Sequence, residues 1–155
     1  MDLLDLNINI DNTHSKSLIR KLNKLNSLIS ELKERNLPEE IIKEFNTEIE
    51  KLNSSPLKGK KLGRLISKSK MYILQTLDKK LKIVPKNAYR GRWLAIGMIV
   101  FGIPMGTAYG LAMGNMGFVG VGIPIGMVIG MAIGSRMDKK AAKEGRQLKF
   151  EASEV

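Results

Sequence analysis

Eight glycines carry the most regular spacing in the chain. Gly102, Gly106, Gly110 and Gly114 recur every fourth residue, and Gly122, Gly126, Gly130 and Gly134 do so again. The chemistry this spacing offers is contact rather than catalysis: on a helix each set falls on one face, and a face without side chains lets two backbones approach closely. Residues able to make and break bonds are scarce. The chain has no cysteine, which removes disulfides, cysteine-ligated zinc and thiol catalysis. Its one histidine, His14, stands alone near the start and reads as a solvated side chain. No phosphate-binding loop, Ser/His/Asp set or paired carboxylate site can be assembled. The chain is expected to be non-enzymatic, with no metal and no cofactor.

The ladders lie inside an uncharged run. Residues 93–135 pass without one Asp, Glu, Lys or Arg, about twice the roughly 20 residues a helix needs to cross a bilayer. The reading is a transmembrane hairpin: a first span over residues 93–113, a turn at 114–117 and a second span over 117–134. At 1.5 Å per residue the spans measure roughly 31 Å and roughly 27 Å. The two halves repeat. Gly102-Ile103-Pro104-Met105-Gly106 matches Gly122-Ile123-Pro124-Ile125-Gly126, so each span holds one proline at the same place in its ladder. Pro104 and Pro124 each free a carbonyl one turn back and are expected to kink their helices. Thr107 is placed to bond back to a nearby carbonyl. No carboxylate, histidine or lysine lies within the spans, which argues against proton-coupled transport.

The segments ahead of the hairpin read as helices. Residues 1–12 are expected to be a disordered tail. Residues 13–35 place Leu18, Leu22, Leu25, Ile29 and Leu32 at alternating spacings of four and three, a heptad stripe. Pro38-Glu39-Glu40 starts a second helix, which places Ile41, Ile42, Phe45, Ile49 and Leu52 inward. Residues 13–55 thus form an antiparallel pair, expected to gain from self-association or from binding a protein partner. A third, amphipathic helix spans 60–82. The fold class is therefore all-α: a cytoplasmic helical hairpin (13–55), a basic juxtamembrane helix (56–92), a transmembrane hairpin with glycine-zipper packing (93–135) and a basic cytoplasmic tail (136–155).

Charge orients the chain. Residues 56–92 hold 12 basic side chains against Asp78 alone, which accounts for the whole net charge of +11. Basic residues flank both outer ends of the hairpin and none lies in its turn. The positive-inside rule then places both termini in the cytoplasm and Asn115 on the far side. Lys79, Lys80, Lys82, Lys86, Arg90, Arg92, Arg136, Lys139 and Lys140 are the expected contacts to anionic headgroups, at about 1 kcal/mol each. The third helix is expected to lie on the bilayer with its apolar side down. Tyr89 and Trp93 fit the interfacial aromatic belt. Nucleic-acid binding by the basic segment is a weaker reading, since aromatic interleaving stops at Tyr72.

Residues 122–141, Gly-Ile-Pro-Ile-Gly-Met-Val-Ile-Gly-Met-Ala-Ile-Gly-Ser-Arg-Met-Asp-Lys-Lys-Ala, with Glu144-Gly145-Arg146-Gln147-Leu148 after them, resemble a group of small bacterial glycine-zipper membrane proteins with two spans and a basic tail. The resemblance covers residues 86–148 and implies location and packing, with no activity attached. Together these readings describe a self-associating anchor or scaffold in a bacterial inner membrane. The alternative is an oligomeric pore or membrane-permeabilising protein, whose ladders would line subunit contacts.

Overall fold

In a computed structural model, residues 2–8 and 15–151 are described. His14 and residues 9–12 of the expected tail lie outside them. The chain divides into two compact units, residues 1–82 and 83–153.

The first unit is helical. α1 (Lys16–Lys33) starts where the Ser15 hydroxyl accepts the Leu18 N–H at 3.4 Å. This side chain satisfies one of the donors a helix start leaves open. α2 (Glu39–Asn53) follows Pro38, whose φ of −58° leads into the first turn. Glu39 and Glu40 occupy that turn at the positive end of the helix dipole. α3 (Gly59–Thr76) continues into a π turn, Leu77–Leu81, and stops at Lys82, which adopts a left-handed φ of 56°. The heptad residues of α1 and Ile41, Phe45, Ile49 and Leu52 of α2 are buried, whereas Ile42, also expected inward, is only half-buried.

The expected α1–α2 pair needs correction. α3 packs on both helices and is the chief neighbour of α1, because Gly63 brings the α3 backbone against the Leu18 and Lys21 side chains. Lys21 also donates to the Gly63 carbonyl at 3.4 Å. A second correction follows. Leu62, Ile66, Ile73, Leu74 and Leu77 are buried within this unit, so the apolar side of α3 is not free to face a bilayer.

Residues 2–8 also differ from the expected disordered tail, for they run extended along α2. Asn46 accepts the Leu4 N–H at 2.8 Å and donates to the Asp2 carbonyl at 3.0 Å. Two helical turns on, Asn53 accepts the Asn7 N–H at 2.8 Å and donates to the Asp5 carbonyl at 3.0 Å. Each amide thus reads a carbonyl and the N–H two residues later, as a neighbouring strand would, and Leu3 is buried beside them. Asn46→Ala removes both of these part-buried hydrogen bonds, each with a net contribution of about 0.5–1.5 kcal/mol. Faster amide exchange at Leu4 and a lower melting temperature are the expected results.

A charged triad joins α2 to α3. The Lys80 ammonium lies 2.7 Å from the Glu44 carboxylate and 3.6 Å from Glu40, and the Tyr72 hydroxyl donates to Glu44. The Lys80 hydrogen bond, then that of Tyr72, holds the Glu44 carboxyl below its usual 4.5. The same Glu44 bonds raise Tyr72 above 10.0 and Lys80 above 10.5. A lowered acid stabilises the fold above its unfolded pKa, and that contribution fades as pH falls through the folded value. Raised groups contribute below their unfolded values, and lose that contribution as pH rises through the folded ones. The contribution of these three groups should therefore be constant between about pH 5 and pH 9 and fade on either side. Glu44→Gln should shrink both slopes in a melting series across pH.

The second unit contains the hairpin. Its elements run β1 (Val84–Lys86), α4 (Ala88–Ala112), α5 (Met116–Lys143) and β2 (Gln147–Glu151). β1 and β2 pair in parallel, with Val84 opposite Gln147 and Lys86 opposite Glu151. The chain is thus all-helical apart from this pair. The expected basic tail is instead the last turns of α5 followed by a strand. Gly145, with a left-handed φ of 69°, ends α5: its N–H reaches the Ala142 carbonyl at 3.1 Å, and the Arg146 N–H reaches Ala141 at 2.9 Å. That reversal returns the chain beside Val84, and the alternation of β2 buries Leu148 and Phe150.

Candidate functional site

α4 and α5 are long and apolar enough to cross a membrane. The inner face of the hairpin is backbone against backbone. A Cβ built on Gly126 would stand 2.5 Å from the Gly102 nitrogen, and one on Gly134 would stand 2.6 Å from the Arg90 Cα. One on Gly106 would stand 2.5 Å from the Val119 carbonyl oxygen. Gly97, Gly102 and Gly106 on α4 meet Gly122, Gly126 and Gly130 on α5. Most of the two ladders thus face each other within one hairpin.

The α4 ladder is shifted from the sequence expectation. Gly114 is not a packing residue: it takes a left-handed φ of 63° in the turn and has no atom near a would-be Cβ. Gly97 takes a place on the face instead. Gly97 and Gly102 are five residues apart, and the π turn Met98–Gly102 absorbs the extra residue. There the Ile103 N–H bonds to the Met98 carbonyl, five residues back. Pro104 follows immediately, where a missing N–H and a ring would disturb a regular α turn. Pro124 instead sits inside the continuous α5. Thr107 donates to the Ile103 and Pro104 carbonyls at 3.0 and 2.9 Å, as its position suggested. Gly110 makes an ordinary contact at 3.4 Å with Met116.

The outer face is large and aliphatic. Leu111 is 74% exposed, Ile99 64% and Val128 61%. Neither helix is therefore buried within this chain, where a soluble core would cover such side chains.

The base of the hairpin is locked by a residue the sequence reading missed. Asp138 on α5 is buried. Its carboxylate accepts the Tyr89 N–H at 3.2 Å and the Arg90 N–H at 2.9 Å. These are open donors of the first turn of α4, whose own cap position, Asn87, makes no side-chain bond there. Asp138 thus caps a helix 49 residues away. Gln147 of β2 donates to the Asp138 carbonyl at 3.4 Å, and Val84, Ala88 and Ala141 close a small core with Tyr89 packed on it.

The expected headgroup contacts divide. Arg90, Arg92, Arg136, Lys139 and Lys140 are exposed near the start of α4 and the end of α5, close to the half-buried Tyr89 and Trp93. The Arg92 guanidinium lies 5.9 Å from the Tyr89 ring centre. Lys86 lies 3.5 Å from Glu151 and Lys140 lies 4.0 Å from Glu144. Lys79, Lys80 and Lys82 belong to the first unit, where Lys80 is held by Glu44 and Glu40.

No protein-family model, curated protein or solved structure matches this chain.

Proposed function

We propose that the chain is a non-enzymatic integral membrane protein whose hairpin of α4 and α5 anchors the N-terminal helical unit to a bilayer. The observation that carries this reading is the inversion of the hairpin: smooth glycine inside, bare aliphatic side chains outside. Glycine-zipper packing holds such a pair together where lipid supplies no hydrophobic drive between helices, and an aliphatic exterior suits hydrocarbon. The basic residues at the base, against none at Asn115, favour cytoplasmic termini in a bacterial inner membrane. The resemblance to small bacterial two-span glycine-zipper proteins agrees with that location.

The hairpin acts as a closed anchor. Because most of each ladder is occupied by the other, surplus glycine surface no longer argues for a ring of subunits, and the exterior offers a pore no polar lining. A partner of the scaffold would meet the surface of the N-terminal unit, since the heptad leucines are occupied in its core. The test uses single cysteines in a chain that has none. In inside-out vesicles, Ser55→Cys should label with a membrane-impermeant maleimide while Asn115→Cys labels only after the bilayer is dissolved. Equal labelling of both before dissolution, or release of the chain by alkaline carbonate, would refute the anchor. Mass in a lipid nanodisc should be that of one chain; a closed ring would restore the pore.

A further inference from the structure

We propose that the exposed face of α3 is a docking surface for anionic lipid headgroups, with the basic side chains toward the bilayer and the apolar side buried behind them. The inference rests on the membrane reading of the hairpin, and it inverts the orientation expected of a lone amphipathic helix. At 100° per residue, Lys60, Lys61, Arg64 and Lys68 fall within about 100° of the circumference of α3, and Met71 lies on the same arc. All five are exposed, Met71 to 44%. α3 contains no acidic residue, and none of these four cations has an acidic partner among the described residues. Lys80, by contrast, is neutralised by Glu44 and Glu40.

Charge complementarity and reach select the occupant. Segments of protein or nucleic acid would have to be recruited from solution, whereas a bilayer is already tethered. Only Lys82 and Ile83 separate Leu81 from Val84, a connection of at most about 3.5 Å per residue. An anionic leaflet attracts each nearby Lys or Arg, which multiplies the docked population by about fivefold per residue. Met71, unbranched and apolar, is suited to the boundary between headgroups and chains.

The test uses the full chain in vesicles of phosphatidylcholine alone or mixed equally with phosphatidylglycerol. An environment-sensitive fluorophore is placed by Gln75→Cys, an exposed position on the same arc, and brominated lipid serves as quencher. The probe should be quenched in the anionic vesicles, unquenched in the zwitterionic ones, and released by about 0.5 M salt, where screening is short-ranged. Lys60→Gln, Arg64→Gln and Lys68→Gln together should lower the docked-to-free ratio by about 100-fold. These exposed substitutions should leave the helical circular dichroism unchanged. Trp93, the sole tryptophan, reports insertion independently. If Trp93 is quenched by brominated lipid and the Gln75 probe ignores headgroup charge, the docking surface is refuted while the anchor stands. If Trp93 is not quenched, both fall. Probe shielding that follows protein density in the membrane, rather than headgroup charge, assigns the face to a second copy and also refutes the proposal.

Discussion

Replacing Gly130 by valine should keep the hairpin from closing. A Cβ at that position collides with the Trp93 carbonyl and would stand 3.1 Å from the Gly97 Cα. The obstacle is backbone, so no side chain can rotate out of the way. Overpacking costs about 1–3 kcal/mol where neighbours can shift, and this site belongs at or beyond the upper end. Valine adds two methyls that push α4 and α5 apart and strip the dispersion contacts of the whole ladder. The effect should be graded along the helices. Gly126→Ala should be severe and Gly110→Ala mild, because the latter Cβ meets its neighbours at 3.4 Å. Gly120→Ala should be neutral or stabilising by up to about 1 kcal/mol, since nothing lies within 4 Å and alanine is the better helix former. Denaturation in mixed micelles, read by Trp93 fluorescence, gives this order directly. An equal response at positions 120 and 130 would mean that the two helices do not meet as described.

Asp138→Ala should cost about 1–2 kcal/mol, the upper range for losing a helix cap. Two N–H groups lose their acceptor at once, and the anion that opposes the dipole of α4 is removed with them. The loss should be local first. Amide exchange at Tyr89 and Arg90 should accelerate, while the Gln147 bond to the backbone carbonyl of residue 138, which alanine retains, should persist. Asp138→Asn keeps one side-chain acceptor and should recover part of the loss. Unchanged exchange at Tyr89 and Arg90 in the alanine variant would refute the cap.

How much of this was legible depends on how local each interaction is. The heptad residues of α1 and most of the periodic apolar residues of α2 and α3 are buried as their spacing implied, with Ile42, Leu65 and Leu81 half-buried, because a helix repeats its faces by rule. The pairing of those helices was less legible. A short link favours α1 beside α2, yet Gly63 lets α3 come closest to α1, an effect of shape that periodicity does not carry. Residues 2–8 look unstructured because extended backbone has no pattern of its own here. Their order comes from Asn46 and Asn53, more than 40 residues on.

The absence of charge over residues 93–135, the recurrence of glycine along them and the basic residues at their outer ends are legible without any coordinates. From these follow two helices long and apolar enough for a membrane. Only the tertiary structure decided which glycines touch. The π turn before Pro104 shifts the phase by one residue, so Gly97 joins the packed face, a change that no four-residue count anticipates; Gly114 falls in the turn because the helix has ended at Ala112. The fold also decided that Asp138, one carboxylate within a basic segment, is the cap of a helix begun 50 positions earlier, and that residues 147–151 of the expected tail pair as a strand. Helix periodicity is a property of neighbours in the chain. Caps, strand pairs and ladder registers are properties of neighbours in space, and they exist only once the hairpin has closed.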